Sequence, residues 1–237
     1  MTVEAHAKIN WTLEVLGERP DGYHELKSVV LPIALCDTLE VEVDGSGSVS
    51  VVGCGGIPQE KNLAWLSAMA LRKASGCGLG ARIAIEKRIP AGGGLGGGSA
   101  DAAAVLKALN SLWRLDMPEI ELCKIAAGVG SDVPVMVLGA PAMMEGRGER
   151  VRRLERGELE LPAPEDIVVF NPGIFVSTPM VFREFRESDR GLGVNDLQPA
   201  AIRLHPGIAD ALRMLESRGL KRVAMSGSGS TVYGVKG

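Results

Sequence analysis

The 237-residue sequence is short of aromatic residues, of clustered cysteine and of any long apolar run, and it carries no strong excess of charge. No apolar stretch is long enough to span a bilayer as a helix. The first residues, Met1 to His6, have neither the basic flank nor the apolar core of a signal peptide. Cys36, Cys54, Cys77 and Cys123 are widely spaced and form no CxxC pair, and His6, His24 and His205 are scattered. That spacing offers no zinc site and no disulfide framework, so reduced thiols in a cytoplasmic enzyme are expected. The formal net charge of −3 gives no electrostatic footprint for nucleic acid or an anionic membrane. No repeat of solenoid period is present. Aromatics amount to only 4% while glycine reaches 31 residues, many clustered where backbone can approach a ligand.

What is present suits a globular protein of one large or two modest domains, with 46% hydrophobic and 23% charged residues. Residues 5–15 read as a strand ended by the turn Arg19-Pro20-Asp21-Gly22, and 39–43 and 49–52 as short strands around a Gly/Ser turn. Leu63, Leu66, Ala70 and Leu71 recur at helical spacing within 62–74, whereas 81–89 alternates as a strand. An Ala/Leu-rich helix runs to about Leu112, and 118–127 is a second helix with Pro118 in its first turn. Residues 133–138 and 142–145 read as strands. The charged stretch 145–160 marks a domain boundary, giving domains of 1–154 and 155–237. Beyond it, 167–170 is a strand, 178–185 a helix, 205–218 an amphipathic helix, and 223–225 and 231–235 strands around a second glycine loop. Strands and helices mix without regular βα alternation, which predicts an α+β fold.

Between a strand and a helix lies Pro90-Ala91-Gly92-Gly93-Gly94-Leu95-Gly96-Gly97-Gly98-Ser99-Ala100, with glycine at six of the seven positions from Gly92 to Gly98. Backbone free of Cβ atoms can turn consecutive N–H groups toward one point and form an anion nest. The following helix adds its unpaired N–H groups and positive dipole end, worth ~0.3–1 kcal/mol per favourable charge. Ser99 could cap that helix or offer a hydroxyl to phosphate or magnesium. A Walker A loop fails, because Ser99 stands where Lys is required. A dinucleotide fingerprint can be laid on Gly92, Gly94 and Gly97, but the second βα unit it needs is missing. A flexible linker would not usually join a well-patterned strand to a strong helix. Asp101, in the first helical turn, simply complements the dipole and is assigned no chemistry.

Period-two geometry puts His6, Lys8 and Asn10 on one strand face. Asp132, in Gly128-Val129-Gly130-Ser131-Asp132-Val133-Pro134, sits where a loop enters the core; a turn or capping aspartate and a carboxylate facing a cleft are both open readings. Kinases need a group to accept or orient the proton of the attacking hydroxyl, commonly a carboxylate. An ammonium beside it would keep that carboxylate ionised. Sequence spacing cannot show the pairing.

The stretch Pro90 to Ala100 matches the phosphate motif Pro-x-x-x-Gly-Leu-Gly-x-x-Ser-Ser/Ala, and with it the sequence resembles the GHMP kinase superfamily. Ala7-Lys8-Ile9-Asn10, Arg19-Pro20-Asp21-Gly22-Tyr23-His24-Glu25-Leu26, the Asp132 loop, Glu145-Gly146-Arg147-Gly148-Glu149, Ser177-Thr178-Pro179 and Ser226-Gly227-Ser228-Gly229-Ser230 extend the match over nearly the whole chain. They resemble the branch that phosphorylates a cytidylylated methylerythritol on its 2-hydroxyl in the non-mevalonate isoprenoid route. The resemblance implies a two-domain fold, with an N-terminal ribosomal-protein-S5-domain-2-like domain and a C-terminal ferredoxin-like domain. It implies ATP and Mg2+ as cofactors, a small-molecule substrate, and no nucleic acid or membrane partner. By the same resemblance Asp132 is the catalytic base and Lys8 polarises the hydroxyl. Asn10 contacts substrate, Tyr23 and His24 hold cytosine, and Thr178, Pro179 and Phe182 form the opposite wall. The glycine loop from Pro90 to Ala100 holds ATP, with Asn62 on the adenine side. A Tyr-His pair after a Pro-Asp-Gly turn could equally be hairpin packing. Relatives usually continue past 231–235 through a further helix and strand, so a shortened C-terminal domain is expected, with an apolar face inviting association as a monomer or weak homodimer.

Overall fold

One 21-residue strand organises the first of two sheets. In the computed structural model, which describes residues 1–237, that sheet has seven strands. They are β1 (Thr2–Asn10), β2 (Glu14–Glu18), β3 (His24–Asp44), β4 (Val49–Val52), β5 (Gly80–Glu86), β6 (Ala142–Gly146) and β7 (Arg150–Arg153). β3 is the spine: β1 and β2 pair along one edge, β5 and β6 along the other, all antiparallel. The sequence pattern shows only its end, at 39–43. Val29, Val30 and Leu31 are buried in succession, so the strand is covered on both faces and loses the alternation that would reveal it.

Helices α1 (Leu63–Ser75), α2 (Gly97–Leu112) and α4 (Val133–Leu138) pack on this sheet, and α3 (Glu119–Ala127) packs on those helices. Together they build a core of 33 buried residues, in which Ala102, Val105, Leu106 and Leu109 of α2 are fully covered. Each large aliphatic side chain so buried is worth ~1.5–3 kcal/mol. Asn62 caps α1, its Oδ1 accepting the Ala64 N–H at 2.9 Å. The expectation of a strand at 133–138 is wrong, because the segment is α4. Val133, Pro134, Val135 and Val137 are all buried, so neither a helical nor a strand period shows in six apolar residues. Pro134 lies in the first turn, where its missing N–H costs nothing.

The second sheet is β8 (Ile167–Phe170), β9 (Lys221–Met225) and β10 (Val232–Val235), antiparallel in the order β8-β10-β9. Beside it lie α5 (Thr178–Glu184), α6 (Gln198–Leu204) and α7 (Gly207–Ser217). The seven residues of α6 are too few for a periodic signal, and α7 begins only after Pro206. A second core of 13 buried residues joins Leu13 and Val15 to Ile208, Leu212 and Val232. The backbone stitches the same seam: Leu13 N–H donates to Val194 O at 2.8 Å, and Val15 N–H to Asp196 Oδ2 at 2.8 Å. The α+β class expected from the mixed element order is the class found. No helix is long and apolar enough to cross a membrane.

Candidate active site

A cleft of about 920 Å3 opens between the two sheets. Its walls come from β1, β2, β3, the glycine loop, the N-terminus of α4, the β6–β7 hairpin, the β8–α5 segment and the β9–β10 loop.

Lys8 reaches the cleft from a break in β1. The ladder with β3 slips between His6 and Lys8, and the residue opposite Lys8 is Pro32. A proline in a strand cannot donate to its neighbour and sits where the ladder is irregular. The Lys8 N–H instead donates to Leu95 O in the glycine loop at 3.0 Å. The side chain is 4% exposed, and its Nζ donates to Asn10 Oδ1 at 2.6 Å and lies 3.3 Å from Asp132 Oδ2. An ammonium this buried needs such partners, since an uncompensated buried charge costs several kcal/mol. Asn10 Nδ2 donates in turn to Ser28 Oγ at 2.8 Å, and Ser28 Oγ donates to Thr12 O at 2.5 Å. Both ends of the Asn10 amide are therefore committed inside the protein. Asp132 stands at the N-cap of α4 but makes no side-chain capping bond, and its carboxylate is 30% exposed toward the cleft.

The glycine loop is held by its carbonyls. Gly93 O accepts from Thr231 N–H at 3.2 Å, Gly94 O from Ser226 Oγ at 3.0 Å, Leu95 O from Lys8 and Gly96 O from Ala100 N–H at 2.8 Å. No backbone N–H from Ala91 to Ser99 donates to a protein acceptor. A run of free amide donors at the start of α2 is what an anion nest requires. Gly94 takes φ +75, and a Cβ there would overlap the Ser226 carbonyl; at Gly96, φ +69, it would strike Met136 and the Lys8 stem. Ser99 does not cap the helix: α2 starts at Gly97 with Gly96 as N-cap, which puts Ser99 inside the first turn.

Behind the loop lies a buried cluster. Asp37 Oδ1 accepts the N–H groups of Arg88 and Ile89 at 2.5 and 2.9 Å, and its Oδ2 takes the Lys87 ammonium at 2.5 Å. Lys87 also donates to Asp101 Oδ2 at 2.6 Å. Burial pushes the Asp37 carboxyl up, but Lys87 and the two amides outweigh it and leave it below the ordinary range. For Asp101 burial prevails over Lys87, and the carboxyl is pushed up to about 6. Its Oδ1 is buried without a partner. Asp101 is thus part of a buried ion cluster and more than an acid complementing the helix dipole.

The far end of the cleft is aromatic. The His24 ring stacks on Phe182 with centroids 4.7 Å apart and meets Phe185 edge-on at 6.4 Å. Tyr23 is 53% exposed beside it, with the Arg147 guanidinium 5.3 Å over its ring. Thr178 Oγ1 is 2.7 Å from Ser228 Oγ, and Pro179 lines the same wall.

Of the residues singled out from sequence, Lys8, Asn10, Tyr23, His24, Gly92, Gly94, Gly96, Asp132, Thr178, Pro179 and Phe182 meet in this one cleft. Leu95 and Ala100 turn into the core. Pro90, Ala91, Gly93, Gly97, Gly98 and Ser99 belong to the loop but do not line the cleft. Asn62 lies outside it, its side-chain oxygen committed to the α1 cap; Leu63 nevertheless approaches the start of α2 at Gly98. Sequence reasoning gave no role to Arg147, Arg183, Glu18 or Ser131, which also line the cleft. Arg147 lies within a quoted motif, so a signal existed; Arg183 carries none.

Two family models match the chain: GHMP kinases N terminal domain over residues 62–140, and GHMP kinases C terminal over 181–236. A 4-diphosphocytidyl-2-C-methyl-D-erythritol kinase of Acidovorax ebreus is 43% identical over 98% of this chain and 86% of its own length. The protein of that name from Citrifermentans bemidjiense is 39% identical, over 98% of this chain and 88% of its own. A crystal structure of 4-(cytidine 5'-diphospho)-2C-methyl-D-erythritol kinase superposes with a TM-score of 0.84 at 38% identity, covering 99% of this chain and 90% of that one. A homoserine kinase from Cytophaga hutchinsonii shares the fold, with a TM-score of 0.69 at 17% identity over 100% of this chain and 84% of its own.

Proposed function

The chain belongs to the GHMP kinase family and is an ATP-dependent small-molecule kinase, and from that premise we propose that it phosphorylates the 2-hydroxyl of 4-diphosphocytidyl-2-C-methyl-D-erythritol. The observation that carries the reading is the Lys8–Asp132 pair, 3.3 Å apart, in one cleft with the glycine loop and the His24–Phe182 stack. The relatives named for this activity, near 40% identity over almost the whole chain, supply the substrate.

In this mechanism Asp132 takes or orients the proton of the 2-hydroxyl, and Lys8 stabilises the oxygen as charge develops on it. That oxygen bonds to the γ-phosphorus while the bond to the β-bridging oxygen breaks, and ADP departs. A positioned general base contributes ~10^2–10^4-fold. The free amides of the glycine loop and the start of α2 bind the phosphates and stabilise their charge without moving. Asn10 acts on Lys8, holding the ammonium at 2.6 Å. Tyr23 stacks on the cytosine and the His24 imidazole hydrogen-bonds its edge, with Thr178, Pro179 and Phe182 forming the opposite wall. Asn62, with Leu63 near the start of α2, lies on the adenine side.

The structure has no group of three or more His, Cys, Asp or Glu side chains suited to a metal. Mg2+ would be held mainly by phosphate oxygens and water, as this ion commonly is, with the Ser99 hydroxyl as the protein group that would contact it. When bound it neutralises phosphate charge. The reading further assigns the two domains to 1–154 and 155–237, and the enzyme to the cytoplasm as a monomer or weak homodimer.

The test compares methylerythritol with and without its cytidylyl group as acceptor for labelled ATP. Turnover of the cytidylylated compound, with kcat/KM lower by about 100-fold or more for the bare alcohol, supports the proposal through the lost base contacts. Equal turnover of both would assign the cleft to a different alcohol, and saturable ATP binding without any product would leave a nucleotide sensor.

A further inference from the structure

We propose that Arg147 and Arg183 bind the diphosphate of the cytidylylated substrate and thereby set the distance between its base and its reacting hydroxyl. The inference rests on the substrate reading above and deepens it. Both side chains are exposed in the cleft. Neither forms an ion pair, and neither guanidinium hydrogen-bonds within the protein, although acids are plentiful around them. Those acids are taken: Glu25 holds Arg19 and Arg150, each at 2.5 Å, and Glu184 holds Arg186 at 2.9 Å and Arg203 at 2.7 Å. Asp21, whose charge is felt by Arg147, accepts from the Tyr23 N–H and from Arg19. Glu18, the other acid lining the cleft beside Asp132, pairs with neither arginine. The cleft therefore carries two uncommitted cations, while its third, Lys8, is already paired with Asp132.

Their places fit the order of groups in the substrate. The Arg147 guanidinium lies 5.3 Å over the Tyr23 ring, at the base-holding end. The next residue, Gly148, takes φ +118 with its backbone packed so tightly on Ser131 that a Cβ would overlap the Ser131 carbonyl. Arg147 thus spans from the aromatic wall to the segment that carries Asp132. Arg183 follows Phe182, whose ring stacks on His24 at 4.7 Å. A molecule with its cytosine on that wall and its hydroxyl at Asp132 must lay its diphosphate between the two. A planar guanidinium fork suits phosphate oxygens. The phosphates of ATP have the loop amides, so the two anions need not share donors.

Calorimetric titration of the full chain with CDP and with cytidine, for wild type, Arg147→Ala, Arg183→Ala and the double variant, tests the assignment alongside steady-state kinetics. Each single variant should weaken CDP about 10-fold, the size of one charge-assisted hydrogen bond, and leave cytidine within about twofold. The KM for the cytidylylated substrate should rise in parallel with kcat nearly constant. Arg147→Lys and Arg183→Lys should recover part of the loss, and the wild-type preference for CDP over cytidine should shrink with added salt. An equal loss of CDP and cytidine would mean that Arg147 acts only by bracing Tyr23, and unchanged CDP affinity in the double variant would remove both arginines from the site; either overturns the inference while leaving the substrate reading intact. If wild type binds neither ligand and does not turn over, the substrate reading fails first and takes the inference with it.

Discussion

Lys8 with Asp132, and Lys87 with Asp37 and Asp101, are built from the same two kinds of group and flank the same glycine loop. They differ in what is left over. In the first cluster the ammonium is buried and braced by Asn10, but Asp132 is 30% exposed toward the cleft and free to meet a hydroxyl. In the second, Asp37 is fully buried and its oxygens accept from Lys87, Arg88 and Ile89. The sole spare atom is Asp101 Oδ1, buried where no substrate can reach it. An ammonium beside a carboxylate is therefore no mark of chemistry by itself. Saturation and exposure separate the pair proposed to react from the cluster that fastens a loop.

The sharpest way to break the comparison is to neutralise one carboxylate in each cluster. Asp132→Asn should lower kcat about a thousandfold, within the range for loss of a general base, with ATP affinity and Tm close to wild type. Asp101→Asn should keep kcat within about threefold, because no reacting atom meets it. Similar kcat losses in both variants would erase the division of labour.

The fastening role predicts the next largest effect, on stability. Asp37→Ala takes one of two carboxylates from the Lys87 ammonium, which keeps Asp101, and leaves the N–H groups of Arg88 and Ile89, at the entry to the glycine loop, without their acceptor. Removing one partner from a buried ionic contact costs about 3–5 kcal/mol, to be read as a fall in ΔG by urea unfolding. Asp37→Asn, which keeps one acceptor, should lose less. A change within 1 kcal/mol for the alanine variant would show that the loop entry holds without this anchor.

Acidity separates the two carboxylates inside the buried cluster. Asp101 has its folded pKa raised from 3.8 to about 6, because burial outweighs Lys87. The native state then binds this proton more tightly than the unfolded chain does. Asp101 therefore makes the protein more stable as pH falls from about 7 toward 4, by about 2 kcal/mol. Asp37, held below its ordinary range, works in the opposite sense, and its contribution is lost only as pH falls through its depressed folded value. Urea midpoints of wild type and Asp101→Asn across that window should converge toward neutral-to-wild-type differences at low pH and diverge at pH 7, with the variant the more stable. A parallel pair of profiles would count against a charged, buried Asp101.

Local pattern revealed what was local. Six glycines before an Ala/Leu-rich run marked the proposed phosphate loop and the end of α2, and the helical spacing of apolar residues marked α1 close to its bounds. Lys8 and Asp132 could be named only by resemblance, since nothing near either one reports that a slipped ladder opposite Pro32 brings them to 3.3 Å. Asp101 looked like an ordinary first-turn acid because Lys87, just past the end of β5, and Asp37, inside β3, are brought to it from distant parts of the chain. Segment 133–138 misled for the opposite reason: apolar at all six positions, it had no polar face to give a period.

Ser226 joins the two sides and gives the smallest effect expected. Its buried Oγ accepts the Asn10 N–H at 3.2 Å and donates to Gly94 O at 3.0 Å, so one hydroxyl from the β9–β10 loop fixes both the strand that carries Lys8 and the middle of the glycine loop. Ser226→Ala leaves both groups short of a partner, at a cost of about 1–2 kcal/mol in stability. If the hydroxyl also sets the loop's position over Lys8, the KM for ATP should rise about fivefold, equivalent to about 1 kcal/mol, with a fall in kcat of similar size. A loss of stability with both kinetic constants unchanged would make Ser226 only a strut, and the proposed catalytic pair and the proposed phosphate cradle would then be set independently of the second sheet.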